Sequence, residues 1–173
     1  AAREDYIKEK YFLKLFIPKP EDGASSEQLS RELFDEAARR GGADHLSYIM
    51  QFIAQGADPN WTSEREGRTP LFQSIIRGNI LTLEALLQNN AKPAVTDSRG
   101  WTPLHYAAFY NRPRCLNRLM QCADLVAAAS SFKVQPIEIA VWNESIECLD
   151  VLKGTRKGNI DLTLDIVQKN PRA

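Results

Sequence analysis

Gly67-Arg68-Thr69-Pro70-Leu71 returns as Gly100-Trp101-Thr102-Pro103-Leu104, and a degraded copy, Gln135-Pro136-Ile137, follows at the same 33-residue spacing. The register holds beyond these strings: Leu83, Leu116 and Leu149 are equivalent, as are Leu86, Leu119 and Leu152. Within a unit the two leucines lie three apart, on the one face of a second helix that must meet the neighbouring units. Thr69 and Thr102 are placed to cap a first helix through the side-chain oxygen. Pro70 and Pro103 then take the first helical position, where a missing N–H costs nothing. Gly67 and Gly100 fall at the tip of a connecting hairpin, and Gly78 and Asn111 at the turn between paired helices, where both residue types tolerate positive φ.

This period and its opening string resemble ankyrin repeats. The resemblance implies an all-α solenoid of four repeats with short β-hairpin fingers, an N-terminal helix and a C-terminal capping helix. A looser first unit is traced by Leu33-Phe34 and Ala37-Ala38, then by Ile49, Phe52 and Ile53, closing on Gly56-Ala57-Asp58. The fourth departs most, because Ser130-Ser131-Phe132-Lys133 replaces the hairpin Asp97-Ser98-Arg99-Gly100, so a poorly formed last finger is expected. Terminal repeats are expected to be atypical, since one side faces water or a cap. Periodicity breaks over Lys153 to Gly158, and Ile160, Leu164 and Val167 predict a short capping helix. At the other end Ile7, Tyr11 and Leu15 mark a charged-apolar helix that stops before Pro18 and Pro20. Ser25 with Gln28 offers a capping box to the next helix. The expected organisation is a helix over 1–17, a linker over 18–26, repeats over 27–153 and a cap over 154–173.

Bulk composition narrows the function classes. The 173 residues carry 22 lysines and arginines against 22 aspartates and glutamates, so no global basic field draws nucleic acid. Cys115, Cys122 and Cys148 are odd in number and lack CxxC spacing, which reads as reduced cytosolic thiols. No apolar run approaches a membrane span, and the opening residues are expected not to be a secretory leader. The opening inside a charged helix reads as a piece of something longer.

Few residues point to chemistry. His105 follows the Thr-Pro-Leu string with no nucleophile or acid beside it, so an imidazole bonding across the hairpin–helix junction is expected rather than a base. His45 is expected at the solvated start of a surface helix. Cys115 and Cys148 precede equivalent leucines and should stack as small buried groups. Arg39-Arg40 and Lys153 to Lys157 are short basic clusters, read as solvated surface, with weak phospholipid attraction as the lesser alternative. One pattern exceeds ordinary packing: Ile76, Phe109 and Trp142 recur at the repeat period, five residues past each unit's leading leucine or isoleucine. They are expected to face a concave groove rather than the core, with Tyr110 and the hairpin residues Arg65, Arg68, Arg99 and Trp101 completing a partner-binding surface.

A second resemblance lies at the ends. Tyr6-Ile7-Lys8-Glu9-Lys10-Tyr11 is similar to the helix that follows the zinc-finger domain in ACAP (centaurin-beta) type Arf GTPase-activating proteins. Gly56-Ala57-Asp58-Pro59-Asn60-Trp61 is similar to the close of that family's first repeat, and Leu162-Thr163-Leu164-Asp165-Ile166 to its C-terminal helix. The resemblance implies a non-enzymatic protein-interaction module. Its parent would regulate Arf GTPase cycling and endosomal membrane traffic, and would be cytoplasmic and peripheral on endosomal or plasma membrane. The implied partners are the upstream zinc-finger domain, cargo or trafficking factors and, through the parent, an Arf-type GTPase. No nucleic acid is implied, and membrane contact runs only through domains outside this chain. Residues 1–17 would then end an upstream catalytic domain. Zinc is expected there, with no cofactor, catalytic residue or metal ligand in this chain. The rival reading is an unrelated cytosolic ankyrin scaffold or adaptor.

Overall fold

A computed structural model describes residues 25–39, 45–122 and 134–155, with the side chains of residues 154 and 155 excepted. The helix expected over 1–17, most of the linker, the fourth finger and all but the first two residues of the cap expected over 154–173 lie outside the described residues. Eight helices occur within them: α1 (Ser26–Ala37), α2 (His45–Ala54), α3 (Pro70–Arg77), α4 (Ile80–Gln88), α5 (Pro103–Phe109), α6 (Pro113–Met120), α7 (Pro136–Trp142) and α8 (Ile146–Thr155). They pair within each unit, α1 with α2 and so on to α7 with α8. The first helices then pack in sequence as one row, α1 to α3 to α5 to α7, and the second helices as another. The result is the two-layer solenoid the period predicts, with α8 running on to Thr155 past the expected boundary.

Burial follows the 33-residue register. Leu71, Leu83, Leu86, Leu116 and Leu119 are sealed from solvent, whereas Leu149 and Leu152 in the last unit are only partly buried against the same core. Each fully buried leucine contributes about 1.5–3 kcal/mol, so the middle repeats carry most of the stabilisation. α1 begins with the expected capping box: Ser25 Oγ accepts from the Gln28 N–H at 3.2 Å and Gln28 Oε1 from the Ser25 N–H at 2.9 Å. Pro70, Pro103 and Pro136 each open a first helix. The turn between paired helices is left-handed at Gly78 (φ 72°) and Asn111 (φ 48°), as expected. The equivalent position in the fourth unit holds Glu144 at φ 53°, where a Cβ is strained. Adjacent units are tied across this turn. Arg112 Nη2 donates to the Ile76 carbonyl at 3.1 Å, and Asn143 Nδ2 donates to the equivalent carbonyl of Phe109.

Three expectations change in detail. The fingers are tight turns: Ser63 N–H donates to Arg68 O and Asp97 N–H to Trp101 O, each at 2.9 Å, and no strand forms among the described residues. Each finger holds one further backbone bond, Gly67 N–H to Ser63 O at 2.8 Å and Gly100 N–H to Asp97 O at 2.9 Å, which closes a turn and not a ladder. The next finger docks on it instead, through Ser98 N–H to Glu66 O at 3.0 Å, and Gly67 leaves room for that approach. Thr69 does not cap α3 through its side chain, because its Oγ1 is buried without a hydrogen bond. His45 is not solvated. It is 5 % exposed, its Nδ1 3.1 Å from Glu36 Oε1 and its Nε2 3.0 Å from Thr82 Oγ1, so α2 is pinned to α1 and α4. A histidine at a helix start reads as surface until a second repeat is stacked over it.

Candidate functional site

His105 shows how the Thr-Pro-Leu-His string joins two repeats. The Thr102 N–H donates to its Nδ1 at 3.0 Å, and its Nε2 lies 2.9 Å from the Val134 carbonyl of the next unit. A carbonyl can only accept, so Nε2 carries the proton and Nδ1 the lone pair, which fixes the neutral tautomer. Burial pushes the His105 pKa below its ordinary 6.5, against the opposing pull of the Val134 carbonyl, Asp97 and Glu138. This is the junction role expected, with both ring nitrogens committed and none left for catalysis. Cys115 and Cys148 are likewise buried, with thiol pKa values pushed up to about 11 by desolvation, far from those of reactive thiolates.

Around the second and third fingers the polar and aromatic groups converge on Tyr106, a residue whose importance the repeat pattern did not reveal. Its side chain is 2 % exposed, and its hydroxyl donates to Asp97 Oδ2 at 2.7 Å. The same oxygen accepts from Arg68 Nε at 3.0 Å and from Arg99 Nη2 at 2.8 Å. Burial and the Asp97 carboxylate push its pKa up to about 12, so it remains a phenol donor. Asp97 Oδ1 meanwhile accepts from the N–H groups of Arg99 and Trp101, which shapes the finger. The Tyr106 ring meets Phe72 edge-on at 5.1 Å and Trp101 at 5.6 Å, and stacks under Tyr110 at 6.2 Å.

Above this buried hub lies an aromatic shelf. Trp101 meets Phe109 edge-on at 5.7 Å, and Phe109 meets Tyr110 at 5.1 Å. Phe109 and Tyr110 remain 36 % and 38 % exposed, side by side at the end of α5. Arg99 stands at the finger end of the shelf, its side chain 58 % exposed and its guanidinium 5.7 Å from the Trp101 ring. Arg65 is exposed on the neighbouring finger.

The eight residues expected on the partner surface therefore divide. Arg65, Arg99, Phe109 and Tyr110 are exposed, and Trp101 is a half-buried floor beneath Phe109. Arg68 is turned inward, 13 % exposed, over the Tyr106 ring and paired to Glu66 at 2.9 Å, so it supports the shelf without presenting it. Ile76 and Trp142 are half-buried against the core, contrary to the expectation that this row avoids it. Five residues turn a helix by about 140° beyond a full turn, which places this row at the margin between core and open face. Side-chain size and the neighbouring repeat then decide exposure. Tyr106 could have been found from one signal, a tyrosine four residues after a helix-capping threonine beside an aspartate-bearing finger.

Comparison with known proteins places this geometry. The family model for ankyrin repeats, in three copies, matches residues 34–129, more than half of the chain. Human "ARF GTPase-activating protein GIT1" is 28 % identical over 124 residues, covering 69 % of this chain and 16 % of that protein. Drosophila melanogaster "ARF GTPase-activating protein Git" is 33 % identical over 129 residues, 69 % of this chain and 17 % of its own length. Human "Arf-GAP with coiled-coil, ANK repeat and PH domain-containing protein 2" is 41 % identical over 64 residues, 36 % of this chain and 8 % of its own. The chain thus spans less than a fifth of the length of these relatives. Among the described residues no helix is long and apolar enough to cross a membrane.

Proposed function

The chain belongs to the ankyrin-repeat family, and from that premise we propose that it is the protein-interaction module of an Arf GTPase-activating protein of ACAP-like kind. The observation that carries the binding part is the Phe109–Tyr110 ring pair, more than a third exposed yet held from below by Trp101 and the Tyr106 hub. Rings immobilised in advance bind at little entropic cost, and aromatic and arginine side chains dominate interface hot spots. The Arf part is supported by the relatives, whose names all carry Arf GTPase activation. The longer matches are to GIT proteins and the higher identity is to the coiled-coil, ANK repeat and PH domain protein, so the activity reading does not depend on which type is nearer. In this reading the zinc finger and its catalytic arginine belong to the parent protein. These repeats would dock against that domain and recruit cargo or trafficking factors at endosomal or plasma membrane.

Two measurements test it. The parent protein should accelerate single-turnover GTP hydrolysis by an Arf-type GTPase, whereas this chain alone should not. A parent without such activity sinks the Arf reading. Replacing Phe109 and Tyr110 with alanine should cost about 2 kcal/mol or more in affinity for proteins that the wild-type repeats bind directly. The fold should keep a cooperative melt, because both rings are partly solvated already. A variant that melts much earlier yet binds its partners unchanged overturns the binding role of the shelf.

A further inference from the structure

Charge along the solenoid is unevenly dealt. Between residues 62 and 122, the second and third repeats, eight lysines and arginines face four aspartates and glutamates. The flanking units reverse this: residues 25–61 hold three basic and six acidic residues, and residues 134–155 one basic and four acidic. Moreover, three of the four central carboxylates are already bound to arginines: Glu66 to Arg68, Glu84 to Arg118 and Asp97 to Arg99. The positive excess is therefore carried at the surface, on residues such as Arg65 and Arg77, which are exposed and have no carboxylate within ion-pair distance among the described residues.

Position relates this excess to the aromatic shelf. Arg77 ends α3 and is the repeat equivalent of Tyr110, which follows α5. Because α3 and α5 pack side by side, Arg77 stands one helix spacing from Tyr110, about 10 Å away in the same row. At the opposite end of α5 lie the fingers with Arg65 and Arg99. The exposed rings of Phe109 and Tyr110 thus sit between two arginine borders.

Deepening the binding reading, and resting on it, we propose that this shelf takes an acidic peptide segment carrying one bulky apolar side chain between two carboxylates. The apolar group would lie on Phe109 and Tyr110, one carboxylate at the finger arginines and the other at Arg77. The spacing follows from the fold. α5 has seven residues, about 10 Å at a helical rise, and Arg77 lies one helix spacing of about 10 Å to the side. The diagonal of about 14 Å is covered by an extended peptide with acids about four residues apart. A basic segment would meet like charge at Arg77, whereas at the fingers Arg65 stands beside the exposed Glu64, so an acid there is drawn to the arginine heads rather than to a net positive field. A neutral segment would forgo the steering of the central excess.

The test uses the full chain and a fluorescein-labelled probe peptide, Gly-Ser-Glu-Gly-Phe-Gly-Glu-Ser-Gly, read by fluorescence polarisation. Three companions replace both Glu by Lys, both Glu by Gln, or Phe by Ala. The Glu-Phe peptide should bind about tenfold tighter than the Lys and Ala forms. Its affinity should fall as salt rises from about 0.1 M to about 0.5 M. Arg65→Glu with Arg77→Glu should weaken it about tenfold, whereas Arg114→Glu, the same charge change per site on α6 of the other row, should cost less than about twofold. Failure of the Glu-Phe peptide to bind overturns the inference, as does equal binding of the Lys form. Equal damage from Arg114→Glu would show that bulk charge, not the shelf, is responsible. Should the Gln form bind as well as the Glu form, and lose binding on Phe109→Ala with Tyr110→Ala, the acidic specificity is refuted while the shelf remains a protein-binding surface.

Discussion

Removing one oxygen from Tyr106 isolates the polar half of the hub from the aromatic half. Tyr106→Phe keeps the ring that meets Phe72, Trp101 and Tyr110, and deletes only the hydroxyl. That hydroxyl donates to a carboxylate whose side chain is 1 % exposed, and accepts from two arginines. Losing a hydrogen bond to a buried charge costs about 1.5–3 kcal/mol. Of the arginines, Arg99 is 58 % exposed and can turn to water at little cost. Arg68 is 13 % exposed but keeps its pair with Glu66, so it adds a few tenths. The expected loss is thus about 2–3 kcal/mol. For a chain of this size that is a drop of about 5–10 °C in Tm. Urea unfolding followed by tryptophan fluorescence, with Trp101 at the hub, measures it directly. Asp97→Asn should interact with it in a double-mutant cycle, since each variant removes one end of the same bond. A loss below about 0.5 kcal/mol, or strict additivity of the two variants, would refute the assignment of Tyr106 as the polar keystone.

The neutral His105 makes stability pH-dependent in a definite direction. Its folded pKa is lowered, so the unfolded chain binds the proton more readily, and stability should be full above about 6.5 and decline as pH falls below it. His105→Ala should cost about 2–4 kcal/mol at neutral pH, by orphaning the Thr102 N–H and the Val134 carbonyl, and should flatten that pH dependence; an unchanged slope in denaturant titrations from about pH 7 to 5 would contradict it. At Glu144, exposed and at φ 53°, substitution by glycine should stabilise the fourth repeat by about 0.5–1 kcal/mol, read as a later thermal transition, and destabilisation there would show that the Glu144 side chain matters more than the backbone. Cys122 should react with a maleimide before Cys115 and Cys148, which are buried with thiol pKa values near about 11; equal rates in the native state would disprove their burial.

The solenoid was legible because its signals are periodic and local: prolines that open helices, small or amide residues at left-handed turns, and leucines three apart. The prolines and leucines recur at 33 residues through the fourth unit, and the turn residues do so at Gly78 and Asn111 before Glu144 takes that place. What escaped the sequence depends on contacts between repeats. His45 reads as a surface residue in its own helix and is buried only because Thr82, 37 residues on, closes over it. Ile76 and Trp142 share a register with Phe109, yet exposure at the helix margin is set by the next unit, and only Phe109 is left open. Tyr106 carried no signal in the repeat pattern because its partners come from two fingers, Arg68 on one and Asp97 with Arg99 on the other.

That arrangement also constrains how such a surface can vary. The hub and the shelf share Trp101 and stack Tyr106 beneath Tyr110, so the rings that bind are supported by rings that hold the fold. A change at Tyr106 or Asp97 removes support and stability together, whereas Phe109 and Tyr110 touch solvent and can change with a smaller penalty. Arg65 and Arg77 lie farther out, with no ion pair among the described residues to lose. Substitution there alters the field at the shelf borders and leaves the packing beneath untouched. Partner choice can therefore be retuned at the arginine borders first, at the two rings second, and at the hub only at the expense of the third repeat itself.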